Sequence, residues 1–298
     1  MARRLKHFVI TTDLRIRNTG VYSNHRNDKH TAKDITEMEL NAGSRGFRLL
    51  TPGNPKTEKG RAQGYWTFIL HFAPADLSGF NVCALSTAGC RKACLNTAGR
   101  GGIKAGTGIL TYAMVKSGKR NQIQEARRIR TRAFFQFRVE FMAELAKEIE
   151  KAIRLARRYG YIPVFRLNGT SDIRWESVPV LGFPNVMTLF SDVQFYDYTK
   201  LPNRKNVPAN YHLTFSLADG NDTFARVALA NGMNVAAVFR SKETVARYME
   251  SGIDIGGTCV PVSRGDDTDL RFLDAPQHCI GLYAKGNAKR DRSGFVRD

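Results

Sequence analysis

The chain has 298 residues, 42% hydrophobic and 24% charged, a globular composition that excludes an intrinsically disordered chain. Lys and Arg number 46 against 27 Asp and Glu, a formal charge of +19, so a polyanion such as DNA or RNA is the expected partner. Five Cys are too few for a secreted disulfide scaffold, and no run of about 18 apolar residues exists to span a membrane. The N-terminus starts basic but has no long apolar run or small-residue cleavage site, so a reducing cytoplasm is the expected compartment.

Residues 1–60 read as a basic N-terminal extension. It holds one β-like run at 7–12 and helical text only at 36–40, and Pro52, Gly53 and Pro55 punctuate its end. Residues 61–298 read as one catalytic domain. Residues 65–72 are aromatic and β-branched and stop at Pro74, which predicts a buried strand. A loop dense in Cys, Gly, Ser and Thr fills 75–108. A long helical region is expected over 121–158, because Phe134, Phe137, Phe141, Leu145, Ile149 and Ile153 recur at spacings of three and four. Gly160 is its stop.

Short apolar runs follow at 162–167, 193–198, 211–217, 235–239, 259–262 and 279–283. Helices at 223–230 and 243–251 lie between some of them, closed by Gly232 and Gly252. Such alternation predicts a parallel sheet covered on both faces. With six or seven βα units, the expected fold is α/β: a (β/α) barrel, a partial (β/α)6 TIM-like one, with a doubly wound open sheet as the alternative.

Chemistry in such folds gathers at the C-terminal ends of the strands. Those ends are polar here. One carries Asn168, Gly169, Ser171 and Asp172; others carry Asp197, Tyr198 and Lys200; Ser216 and Asp219; Arg240; and Asp266 and Asp267. Convergence of these groups on one mouth points to an enzyme.

The loop 83–94 is the sharpest motif: Cys83, Cys90 and Cys94, spaced Cys-x6-Cys-x3-Cys. Three thiolates in one loop suit Zn²⁺ or an iron–sulfur centre. A structural zinc needs a fourth ligand, from His71, Cys259, His278 or Cys279. With an open fourth position the three suit a [4Fe–4S] cluster. Arg91, Lys92 and Arg100 are expected to lower the thiol pKa values. Cys259 and Cys279 sit in apolar runs and are expected in the core.

The three-Cys loop after the first strand, the stretch 166–172 and the Ser216–Asp219–Gly220 end resemble the radical S-adenosylmethionine (radical SAM) enzymes. The resemblance implies a partial barrel, a [4Fe–4S] cluster on Cys83, Cys90 and Cys94, and SAM bound by Asn168, Gly169, Ser171, Asp172, Ser216 and Asp219. The same stretches, with 195–200, are similar to a group of uncharacterised bacteriophage proteins related to the phage gene-product-88 family. That implies the host cytoplasm as location and no particular activity.

Basic residues dominate 116–158, where 13 Lys and Arg stand against 5 Glu. Arg127, Arg128, Arg130 and Arg132, with Lys289 and Arg290 in the tail, are the candidate phosphate contacts, with DNA favoured over RNA. The first expectation is a phage-type radical SAM-like enzyme acting on nucleic acid or a nucleotide. Its candidate catalytic groups are Asp172, Asp197, Asp219 and Lys200; Tyr198, Arg240, Asp266 and Asp267 would face the substrate with them. The alternative is a zinc-containing barrel similar to DNA and tRNA guanine transglycosylases, with a strand-end Asp as nucleophile. A second alternative is a non-enzymatic, metal-stabilised DNA-binding phage protein.

Overall fold

The computed structural model describes residues 49–298 except residue 55 and residues 104–107. The expected strand at 7–12 and helical stretch at 36–40 lie outside the described residues. Residues 49–54 and 56–60, assigned by sequence to the extension, pack on the domain: the Leu49 and Leu50 amides donate to the two carboxylate oxygens of Glu148 at 2.7 and 2.9 Å.

Strand β1 (Leu50–Thr51) and helix α1 (Glu58–Arg61) precede β2 (Tyr65–Leu70). Helices α2 (Ala88–Lys92), α3 (Tyr112–Lys116), α4 (Gln122–Gln136) and α5 (Arg138–Arg158) then lead to β3 (Ile162–Arg166). Next come α6 (Val186–Leu189), β4 (Gln194–Thr199), β5 (Tyr211–Ser216), α7 (Asp222–Ala230), β6 (Val235–Phe239) and α8 (Lys242–Ser251). The chain ends with β7 (Ile253–Ile255), β8 (Thr258–Val260), β9 (Val262–Arg264), β10 (Cys279–Tyr283) and β11 (Val296–Arg297).

Nine strands form one sheet in the order β1-β2-β3-β4-β5-β6-β10-β9, with β11 also on β6. Every ladder from β2 to β9 is parallel, and only β1 runs antiparallel. The sheet is therefore mixed α/β and mostly parallel. From β2 to β6 each strand lies beside its predecessor in sequence, as right-handed crossovers in one direction produce. The doubly wound alternative requires a reversal of strand order that β2 to β6 do not make. Among the described residues no ladder joins β9 back to β1. Side chains cross that gap instead: Lys56 pairs with Asp269 at 3.2 Å, the Lys59 ammonium donates to the Asp266 carbonyl at 2.8 Å, and Tyr65 meets Phe272 edge-on. Strand β11 takes up the edge of β6 beyond the point where β5 ends: β5 pairs with Val235 and Ala236, β11 with Val238 and Phe239.

The two faces of the sheet differ. Phe68, Leu70, Phe165 and Phe195 point outward and meet Phe134, Phe141, Leu145 and Ile149 of α4 and α5 in one core. Each such side chain contributes about 1.5–3 kcal/mol by leaving water. The opposite face is polar. Thr67 and Tyr196 hydroxyls lie 3.4 Å apart, Tyr196 donates to Asp269 at 3.3 Å, and Arg166 donates to Asp269 at 3.0 Å. The runs that read as continuously apolar thus carry a polar inner stripe.

Three sequence expectations change. The single helix over 121–158 breaks at Phe137, whose backbone leaves the helical region at φ −133 and ψ 56. Arg138 makes that break tolerable: it donates to the freed Phe134 carbonyl at 2.7 Å and stacks on the Phe134 ring. The run at 259–262 splits at Pro261, which has no N–H for a ladder. Residues before it pair with β7 in a separate hairpin, and Cys259 is exposed there rather than in the core. Cys279 is buried as expected.

Candidate active site

The C-terminal end of β2 feeds the cysteine loop, and two neighbouring strand ends hold that loop in place. On one side the Asp172 amide donates to the Val82 carbonyl at 2.7 Å, and the Cys83 thiol reaches the Thr170 carbonyl at 3.8 Å. On the other, Asp219 beyond β5 grips the start of α2. It accepts from the Thr87 hydroxyl through one oxygen and from the Gly89 N–H, at 3.1 Å, through the other. Thr87 in turn caps α2 by accepting from the Cys90 N–H at 3.1 Å. Gly89 is required by close approach, since a Cβ there would lie 2.6 Å from the Asp219 carboxylate. Burial alone would raise the Asp219 pKa; the Thr87 and Gly89 hydrogen bonds outweigh it and hold the carboxyl below its usual range.

All three loop cysteines are partly buried and free. Burial pushes the Cys83 thiol up to about 12, and Cys94 and Cys90 add to the rise. Burial likewise pushes Cys94 up to about 11, with Cys90 adding to it, while Arg127 and Lys200 oppose it. The sulfurs therefore lie near enough to repel one another as thiolates. The expected lowering by Arg91, Lys92 and Arg100 does not occur at Cys83 or Cys94, because desolvation outweighs every nearby cation. Lys92 and Arg100 are exposed, and Arg91 donates to Ser86 at 2.9 Å. Among the described residues no three of His, Cys, Asp and Glu are grouped so that they could hold one metal ion.

The strand-end residues divide by role. Asn168 is buried, and its amide oxygen accepts from Ser171, from the Ile173 N–H and from the Trp175 indole at 2.8–3.1 Å, which folds the 168–175 loop. Gly169 packs against β2, where a Cβ would lie 2.7 Å from the Leu70 carbonyl oxygen. Asp172 accepts from the Lys200 N–H at 2.8 Å; burial raises its pKa. Asp197 is fully buried and accepts from the Leu167 and Asn168 amides and the Tyr211 hydroxyl. Burial pushes Asp197 up to about 7, against Arg166 and those donors. Its oxygens support the loop from below. Lys200 donates to the Ser216 hydroxyl at 2.8 Å, so these two meet on the inner face.

Sequence reasoning did not foresee the roles of Thr87, Arg166 and Asp269. Arg166 stacks over Tyr198 at 4.7 Å. Alternation along β3 and β4 could have indicated that Arg166 and Tyr198 share the inner face. His71 just beyond β2 joins them: burial lowers its pKa well below 6.5, and Arg127, Arg166 and Arg130 lower it further.

The arginine block is turned inward more than the charge count implied. Arg127 donates to the Asn96 carbonyl and side-chain oxygens at 2.9 and 2.6 Å. Arg128 pairs with Glu125, and Arg132 is buried. Burial lowers Arg127 and Arg130 to about 10. Lys289 and Arg290 are exposed. Lys289 lines a cavity of about 410 Å³ with Arg240, Lys242 and Lys285 at the ends of β6 and β10. Of the other expected substrate-facing groups, Arg240 pairs with Asp298, Asp266 pairs with Lys285 and Asp267 is exposed.

No helix among the described residues is long and apolar enough to cross a membrane. A family model described as Gene product 88 matches residues 48–298. No curated protein and no solved structure matches the chain.

Proposed function

The chain belongs to the Gene product 88 family, a bacteriophage protein group, and we propose that it is a radical SAM-like iron–sulfur enzyme acting on nucleic acid or a nucleotide. The observation that carries this reading is the tethering of the three-cysteine loop. It leaves the first parallel strand, and strand ends β3 and β5 hold it at the carboxyl end of the sheet through Asp172 and Asp219. The sequential parallel order β2 to β6 supports the finer fold assignment, a partial (β/α)6 barrel.

The three cysteines share one loop and couple electrostatically as thiolates, and soft thiolate ligands suit an iron–sulfur centre. Cys83, Cys90 and Cys94 would hold the cluster. Bound with SAM, it would supply the electron for reductive cleavage and hydrogen-atom abstraction.

The remaining chemistry belongs to the chain. Asp219 fixes the loop. Asn168 and Gly169 shape the adjacent 168–175 turn, and Gly169 lets that turn pack closely against the end of β2. Lys200 and Ser216 present donors on the inner face, close to Cys94. Base exchange has less support, because Asp197 is buried beneath its hydrogen bonds while Asp172 and Asp219 hold loops.

The test is anaerobic purification after iron-supplemented expression, with iron and sulfide analysis and a visible spectrum. A brown protein with about four iron and four sulfide per chain is expected. Cys94→Ala should lose the colour. A colourless wild-type protein with one zinc, or a cluster signal unchanged in all three Cys→Ala variants, overturns the reading.

A further inference from the structure

We propose that the inner face of the sheet, next to the cysteine loop, binds the phosphate group of a small phosphate ester such as a mononucleotide. This deepens the reading above, on which it rests for the position of the chemistry, by naming the substrate class.

The carboxyl ends of β2 to β5 each place a hydrogen-bond donor on one face. His71 follows β2, Arg166 ends β3, Tyr198 and Lys200 come from β4 and its end, and Ser216 ends β5. Alternation along the strands sets this shared orientation. The Arg166–Tyr198 stack and the Lys200–Ser216 hydrogen bond confirm it. From above comes Arg127 of α4. Two contacts fix that helix: Thr131 accepts from the Ala73 N–H at 2.8 Å, and Arg127 holds Asn96.

Among the described residues no carboxylate pairs with Arg127, whose two hydrogen bonds go to neutral oxygens of Asn96. Arg166 spends one nitrogen on Asp269, and its Nε, 3.9 Å from the Asp197 carboxylate, makes no hydrogen bond. The Tyr198 hydroxyl is buried without a partner. Shielded cations and an unused hydroxyl are costly unless an anion completes them. A carboxylate offers two oxygens, which one guanidinium can occupy. Donors arriving from four strand ends and a helix suit a tetrahedral dianion with three free oxygens. These donors are buried or half-buried on one face of the sheet rather than spread over an exposed surface, which suits a single phosphate ester more than the flank of a duplex.

The experiment is calorimetric titration of the purified chain with deoxynucleoside 5′-monophosphates and with the matching nucleosides. The monophosphates should bind at least about tenfold more tightly than the nucleosides. Arg127→Gln and Lys200→Gln should each weaken monophosphate binding by about 10- to 100-fold and leave nucleoside binding unchanged. Tyr198→Phe guards against misfolding as the cause. It removes only the unpartnered hydroxyl, so it should weaken monophosphate binding without lowering the melting temperature. Equal binding of nucleoside and monophosphate overturns the proposal. So does binding of a single-stranded oligonucleotide without binding of monophosphates, or full displacement by SAM alone.

The two readings fail separately. A chain carrying Cys83→Ala, Cys90→Ala and Cys94→Ala should still prefer monophosphates over nucleosides. A brown wild-type protein indifferent to phosphate defeats this proposal alone. A colourless protein that binds monophosphates defeats only the cluster.

Discussion

Thr87 and Asp219 are 132 residues apart in sequence, yet the Thr87 hydroxyl donates to the Asp219 carboxylate. That one carboxylate also holds the Gly89 amide, so the end of β5 sets the position of the cysteine loop. Asp219→Ala should cost about 1.5–3 kcal/mol for each charged hydrogen bond lost. On the proposed cluster reading it should also reduce iron content, measured beside urea unfolding. The native carboxyl titrates below its usual range, so its contribution is full above about pH 4 and fades as pH falls further. Wild type and Asp219→Ala should therefore converge in stability toward pH 2.

His71 gives a second dependence on acidity. Burial and the arginines keep it neutral in the fold, while the unfolded chain takes up its proton near pH 6.5. Its share of stability is present above that pH and is lost as pH falls, by up to about 1.4 kcal/mol per unit. His71→Gln should flatten the slope of unfolding free energy between pH 7 and 5.5.

Asp197 acts in the opposite sense. Its native pKa of about 7 lies above the unfolded value, so the stability linked to it is full below about pH 4 and is lost as pH rises to 7. Asp197→Asn should be most destabilising near pH 4 and least so near pH 8. A difference from wild type that stays constant across this range would refute the buried, proton-holding role.

Gly169→Ala tests the turn beside β2. The added methyl would stand 2.7 Å from the Leu70 carbonyl oxygen and from the Ile69 side chain. Backbone must shift, at a cost of about 1–3 kcal/mol. The melting temperature should fall.

Lys289 and Arg290 are the expected residues that stay exposed, and the proposed nucleic-acid reading assigns them to the polynucleotide backbone. Replacing both with Gln should weaken binding of single-stranded DNA and reduce the slope of log affinity against log salt by about 0.7 for each phosphate contact removed. Arg132→Gln, which alters a buried side chain, should instead lower the melting temperature.

Much of the fold was legible because parallel strands carry apolar runs and their helices carry spacings of three and four. The runs at 65–72, 162–167, 211–217 and 279–283 became β2, β3, β5 and β10 with ends shifted by two residues or fewer. The break at Phe137 escaped notice, since no Gly or Pro marks it and Arg138 repairs it from the next turn. Cys259 escaped because a short apolar run reads alike in a core strand and in an exposed hairpin. The cysteine loop was legible from residue type and spacing. Its anchors were not: Thr87 meets Asp219, and Arg127 meets Asn96, only after distant segments come together. The arginine block shows the same limit, because a count of charge says nothing about which way each guanidinium points.

The seam between the first and last strands of the parallel sheet has a consequence for biosynthesis. Lys59 reaches Asp266 across 207 residues, and Lys56 reaches Asp269. On the ribosome the cysteine loop emerges well before these partners. Until then one side of the nascent domain stays open, and loop closure over so long a span is slow. On the proposed cluster reading, iron supplied during synthesis would thus meet a more open loop than iron supplied after this seam has formed.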